Sequence, residues 1–133
     1  MGQGEPSDLE ILVVDDDPDV LEIASASLAA EGYRIYQARN ASDALKILDE
    51  HRTIALLFTD IVMPGSLDGF DLAERAKARR PGLRVIYTSG YLKEEGVWDG
   101  LLLTKPWSAE DLKSAVADTW PTTYPRGNRP RRH

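Results

Sequence analysis

The chain has 133 residues, 42% of them hydrophobic, and a formal net charge of −6. That length suits a single domain with a real core, and the absence of cysteine excludes disulfides, thiolate metal sites and cysteine nucleophiles. Arg126, Arg129, Arg131 and Arg132 lie in a tail without acids, so −6 overall with +4 there leaves −10 on residues 1–120, which argues against nucleic-acid binding by the fold itself.

In chain order, residues 1–8 (MGQGEPSD) are polar and read as a flexible N-terminal segment. LEILVV is a short apolar strand that delivers the chain to Asp15. DPDVLEIASASLAAEG has helical spacing, with Asp17 as its cap, Pro18 in its first turn and Gly32 at its stop. Its inner face is expected to carry Val20, Ile23, Ala24, Ser27 and Leu28. YRIYQA alternates like a strand, and NASDALKILDEH is a second helix with Ala41, Ala44, Leu45 and Leu48 inward. TIALLF is a fully apolar strand running out to Asp60. LDGFDLAERAKARR is a third helix closed by Pro81-Gly82, and LRVIYT is a strand. LKEEGVWDG has room only for a short helix before the strand LLLT. SAEDLKSAVADTW is the final helix, opened by a capping box from Ser108 to Asp111, with Leu112, Ala115, Val116 and Thr119 inward. The longest apolar runs, IALLF and GLLL, are too short to cross a membrane, and nothing at the start has the pattern of a secretion signal, so the expected location is the cytoplasm.

Strand and helix therefore alternate, which predicts an α/β fold: a doubly wound, five-stranded parallel sheet covered on both faces. In such sheets function gathers at the carboxyl ends of the strands. Those ends carry Asp15 and Asp16, then Asp60, then Thr88 and Ser89, then Lys105-Pro106.

Carboxylates crowded on one rim repel each other, and a hard divalent cation relieves that repulsion. Mg2+, or Mn2+ in its place, takes oxygen ligands, so the candidate metal ligands are Asp15, Asp16, Asp60 and the carbonyl of Val62. A carboxylate beside the metal can act as a nucleophile toward phosphorus, and Asp60 is the candidate. Lys105 offers a mobile positive charge and Thr88 a hydroxyl donor for the phosphoryl oxygens. Nucleophile, metal and electrostatic clamp are the parts of a phosphoryl-transfer site.

ILVVDDDPDV, LLFTDIVMPGSLDGF, VIYTSGY and LLTKPW, in that order and each at a strand end, resemble a response-regulator receiver domain of two-component signalling. Single-domain receivers and those of hybrid histidine kinases are the nearest kinds. The resemblance covers residues 9–119, leaving 120–133 as a Pro- and Arg-rich tail. It implies the flavodoxin-like receiver fold with strand order 2-1-3-4-5 and a cis peptide before Pro106. It further implies that Asp60 accepts a phosphoryl group from a phosphohistidine on a histidine kinase or histidine phosphotransfer protein. Asp15 and Asp16 are then the acidic pair, Thr88 the switch hydroxyl and Lys105 the phosphate-sensing lysine. Such a domain is a phosphoacceptor that assists its own phosphorylation and dephosphorylation, not an enzyme. It is expected to be a monomer or weak homodimer without direct DNA binding, signalling to an output protein or serving a phosphorelay. With no room after the last helix for an output domain, a stand-alone receiver is expected, with a receiver excised from a longer hybrid kinase as the alternative.

Four departures stand out. MPGSLDG is one residue longer than the commonest receiver loop, as in receivers linked to hybrid kinases. The position of the family's switch aromatic, three before the lysine, holds Leu102, with Tyr91 as a conceivable substitute. Only sixteen residues separate Thr88 from Lys105, so the fourth helix should be short or irregular. Val62 and Gly90 stand where other receivers often place side chains that act on the hydrolytic water.

Plainer readings compete at several positions. Asp17 reads as a cap, Met63 and Pro64 as loop packing, His51 as a favourable charge near a helix end, and Trp98, Trp107 and Trp120 as packing residues. An EF-hand fails because Val20 and Ala26 stand where the loop needs Gly and Glu. A haloacid-dehalogenase-like phosphatase shares the acid spacing Asp15-x-Asp17 but not the residue that should follow, and the chain has no room for a cap. A phosphorylation-independent, receiver-like adaptor is the remaining alternative.

Overall fold

Alternation at period two decides where each buried strand sends its side chains. β1 (Glu10–Val14) gives Ile11 and Val13 to one face of the sheet and Leu12 and Val14 to the other. β3 (Leu56–Asp60) does the same with Leu56 and Phe58 against Leu57. The computed structural model describes residues 9–89 and 101–119. With β2 (Arg34–Ala38), β4 (Arg84–Ser89) and β5 (Leu101–Thr104) these strands form one parallel sheet in the order β2-β1-β3-β4-β5. This is the expected doubly wound, flavodoxin-like architecture, and Lys105-Pro106 is cis as the resemblance implied.

Two apolar clusters follow from that alternation. α1 (Pro18–Ala29) and α4 (Ala109–Thr119) cover the face of Ile11, Val13, Phe58 and Ile86. α2 (Ala41–Glu50) and α3 (Gly69–Arg79) cover the face of Leu12, Val14, Leu57 and Val85. Each fully buried Leu, Ile or Val contributes about 1.5–3 kcal/mol of transfer free energy, so the two clusters are the main source of stability.

The helix signals fall where the sequence places them. Asp17 Oδ1 accepts from the backbone N–H of Asp19 at 2.9 Å, and Pro18 starts α1. Ser108 and Asp111 cap α4 reciprocally at 3.1 and 2.9 Å, and Leu112, Ala115, Val116 and Thr119 are buried. Gly32 ends the first helical segment at φ +100°, a conformation open to glycine. In α2, Ala41, Ala44 and Leu48 are buried as expected and Leu45 is half-buried.

The inner face of α1 needs correction. The buried residues are Leu21, Ala24, Ser25 and Leu28, while Val20 and Ser27 are half-buried and Ile23 is 57% exposed. The stripe at 21, 24, 25 and 28 is an i, i+3, i+4, i+7 set one residue round from the expected one. Both stripes are apolar in the sequence, and packing against the α1–α4 cluster selects the one that contains two leucines. The short helix expected in LKEEGVWDG, Gly90, Tyr91, Trp98, Trp120, the segment 1–8 and the tail 120–133 lie outside the described residues.

Candidate functional site

The alternation that builds the core also gathers the polar rim. Asp15, Asp60, Thr88 and Lys105 each stand two positions beyond Val13, Phe58, Ile86 and Leu103, residues packed in or against the α1–α4 cluster. The register of the sheet sets Thr88 directly across from Asp60. Four side chains from four strand ends thus arrive on one side of one edge.

Distances bear this out. Carboxylate oxygens of Asp15, Asp16 and Asp60 lie within 4.8 Å of one another. Lys105 Nζ donates to Asp15 Oδ2 at 3.1 Å and to Asp60 Oδ2 at 3.5 Å. The lysine is placed by its own backbone, whose N–H donates to the Ser89 carbonyl at 2.9 Å. The other oxygen of Asp15 accepts from the backbone N–H of Asp17 at 3.0 Å, which fixes the carboxylate against the start of α1. Asp15 is 3% and Asp60 6% exposed, whereas Asp16 is exposed.

Crowding has a cost that appears in the titration of the site. Burial, then the charge of Asp15, push Asp60 up from 3.8 to about 6, against a weaker downward pull from Lys105. Burial pulls the Lys105 ammonium down, but its hydrogen bond to Asp15 and the charges of Asp15 and Asp60 outweigh that and leave it raised. Among the described residues, one ammonium held between Asp15 and Asp60, with Asp16 beside them, leaves net negative charge at the lip of the core. The donor set consists of oxygens alone and its carboxylates converge, so these residues fit a hard cation such as Mg2+ or Mn2+. Val62 stands in the loop just past β3 with its side chain 69% exposed.

Two residues of the site carry more than the sequence suggested. Gly69 opens α3, its backbone N–H donating to the Ile61 carbonyl at 2.8 Å. A Cβ there would lie 2.7 Å from Ile61 Cα and closer still to the carbonyl oxygen of Asp60, so only glycine lets α3 approach the end of β3. Trp107, expected as a packing residue, does pack on Phe58 with ring centroids 6.0 Å apart. Its Nε1–H also donates to the Thr88 hydroxyl at 3.0 Å. The sequence signal was its place in KPW, two residues past the rim lysine.

Comparison with known proteins bears on the family and the fold. The family model described as "Response regulator receiver domain" matches residues 11–117. The chain is 31% identical over 112 residues to the response regulator receiver protein CpdR of Brucella abortus, covering 80% of this chain and 92% of that one. Several longer relatives are matched over only 17–24% of their length. The receiver domain of the hybrid histidine kinase CckA superposes with a TM-score of 0.73 at 32% identity, covering 83% of this chain and 97% of that one. The response regulator TrrA of Thermotoga maritima, solved in complex with Mg2+ and beryllium fluoride, superposes with a TM-score of 0.76 at 28% identity, covering 85% and 100%.

Proposed function

This chain belongs to the response regulator receiver family, and from that premise we propose that Asp60 is a phosphoacceptor charged by a phosphohistidine of a partner histidine kinase or histidine phosphotransfer protein. The observation that carries the reading is the convergence of Asp15, Asp16 and Asp60 within 4.8 Å beside the Lys105 ammonium. An oxygen of Asp60 forms the new bond to phosphorus as the bond from phosphorus to the imidazole nitrogen breaks. The leaving imidazole keeps the electron pair and takes a proton from solvent, so atoms and charge balance. Asp60 attacks as the carboxylate, and at neutral pH a group titrating near 6 is mostly in that form.

Lys105 already stands within reach of Asp60, and its flexible stem lets the ammonium turn toward a phosphoryl oxygen when one arrives. Thr88, opposite Asp60 in the sheet, offers a hydroxyl to another. Asp15, Asp16, Asp60 and the Val62 carbonyl would hold Mg2+ or Mn2+, which when bound draws charge off the phosphoryl oxygens. Receiver domains are signalling modules, and the output of this one is a change in protein–protein contact or onward transfer in a phosphorelay. The acidic body supports a domain that does not bind DNA directly, and the proposed form is a cytoplasmic monomer or weak homodimer.

The test is incubation with Mg2+ and acetyl phosphate, read by intact mass beside an Asp60→Ala control. One added phosphoryl group, removed by hydroxylamine and absent from the control, is the expected result. Equal labelling of the control would show that Asp60 is not the acceptor. An unlabelled wild-type chain that still bound a receiver partner would favour the adaptor reading.

A further inference from the structure

The Thr88 hydroxyl is held by a residue outside the four-strand rim. An indole N–H can only donate, whereas a hydroxyl carries one proton and two lone pairs. In the 3.0 Å bond between Trp107 and Thr88 the direction is therefore forced: Trp107 gives, Thr88 receives, and the one proton of Thr88 is left for another acceptor. Thr88 lies across from Asp60, on the sheet face of Phe58 and Ile86. Trp107 approaches from that same face, its ring packed against Phe58. Leu102, by contrast, pairs with Tyr87 in the sheet and packs in the cluster on the opposite face. The side chain that reaches Thr88 thus comes from the loop between β5 and α4 and not from β5 itself.

We infer that Trp107 is a positioning residue for the phosphoacceptor reaction: by fixing the Thr88 hydroxyl as an acceptor, it turns that hydroxyl's proton toward the oxygens of a group carried on Asp60. The inference rests on the phosphoacceptor reading of Asp60. The same bond ties Thr88 to the residue just before the cap of α4, so displacement of the hydroxyl is felt where that helix begins.

A double-mutant comparison separates positioning from packing. The initial rate of labelling by acetyl phosphate with Mg2+ is measured for the wild-type chain and for Trp107→Phe, which keeps a ring and loses the donor. The pair is repeated in Thr88→Ser, which keeps the hydroxyl, and in Thr88→Val, which does not. One neutral hydrogen bond corresponds to a rate change of about fivefold. That loss is expected for Trp107→Phe in the wild-type and Thr88→Ser backgrounds and is expected to vanish in Thr88→Val. The same loss in all three backgrounds, or none in the wild type, overturns the inference while leaving Asp60 as the acceptor. A wild-type chain that is not labelled overturns both. Independently of the fold of the Trp107 variant, Thr88→Val in an otherwise intact, 15N-labelled chain should move one indole N–H resonance. If every indole resonance stays in place, the hydrogen bond is absent from solution and the inference falls, with the phosphoacceptor reading untouched.

Discussion

At the amino edge of the sheet, Arg80 sits between α3 and β4 and aims its guanidinium at the carbonyls of Leu48, His51 and Ile54, the last two at 2.9 and 2.7 Å. Nearby, the Glu10 carboxylate accepts from Thr53 Oγ1 at 2.6 Å and the Tyr36 hydroxyl at 3.3 Å. At the carboxyl edge, three carboxylates converge, two of them on one ammonium, and burial and repulsion push Asp60 up to about 6. Polar groups at the first edge meet partners within the chain, and that edge closes α2 and joins it to β3. The acids at the second edge exceed what the described residues neutralise, and the deficit is the opening for a cation and a phosphoryl group. A sheet of this kind can keep stability at one end and reactivity at the other, because the two are a full strand length apart.

The sharpest way to break the division is to move the backbone beneath the acids. Gly69→Ala sets a Cβ against the Asp60 carbonyl and Ile61 Cα. The expected loss is about 3 kcal/mol, the upper range for overpacking, read from urea unfolding, together with slower labelling of Asp60 in the folded fraction. Unchanged labelling would show that the approach of α3 to β3 does not place the acceptor. Arg80→Met tests the other edge. It removes the guanidinium from the carbonyls of Leu48, His51 and Ile54, of which His51 keeps the Ile54 N–H at 3.3 Å, an expected loss of about 2 kcal/mol in the same unfolding measurement. The labelling rate of the folded chain should not change. A folded Arg80→Met chain that labelled slowly would show that the two edges are coupled.

Much of this contrast is legible in the sequence, for physical reasons. Apolar runs that end on Asp15 and Asp60 announce a parallel sheet with its acids at one edge, since parallel strands bring their carboxyl ends to the same side. Caps at Asp17 and Ser108 are local and need only neighbouring residues. What the chain conceals is tertiary. In α1 the stripes through Ile23 and through Leu21 are both apolar, so composition alone does not choose between them, and the sheet leaves Ile23 outside. Gly69 reads as an ordinary residue at a helix start until α3 is seen against the end of β3. Trp107 reads as packing because its partner is 19 residues away in the chain and is reached only when β4 and β5 lie side by side. Arg80 stands in the sequence only as the end of the third helical segment, and the three carbonyls from around the end of α2 that meet its guanidinium come from residues 26 to 32 positions earlier.

The smallest expected effect probes the excess charge directly. Asp60→Asn keeps the shape of the side chain and removes its titration. In a chelating buffer the folded wild-type chain still holds the Asp60 proton between pH 4 and 6, where the unfolded chain, titrating at 3.8, has released it. Stability therefore declines as pH rises through that window and is flat above it, so at neutral pH the ionised Asp60 weakens the fold. A two-unit rise at about 1.4 kcal/mol per unit sets a ceiling near 3 kcal/mol. Water at the exposed Asp16 side of the cluster lowers it, and about 1 kcal/mol is the gain expected for Asp60→Asn at pH 7.5. At pH 4 and below, where the wild-type side chain is neutral in the folded state, the two chains should unfold together. Adding Mg2+ should raise the wild-type unfolding midpoint at pH 7.5 more than that of Asp60→Asn, because the variant has surrendered one of the oxygens that carry charge to the ion. If Asp60→Asn instead destabilises the chain at pH 7.5 without metal, the carboxyl edge is as well satisfied as the amino edge, and the contrast between them does not hold.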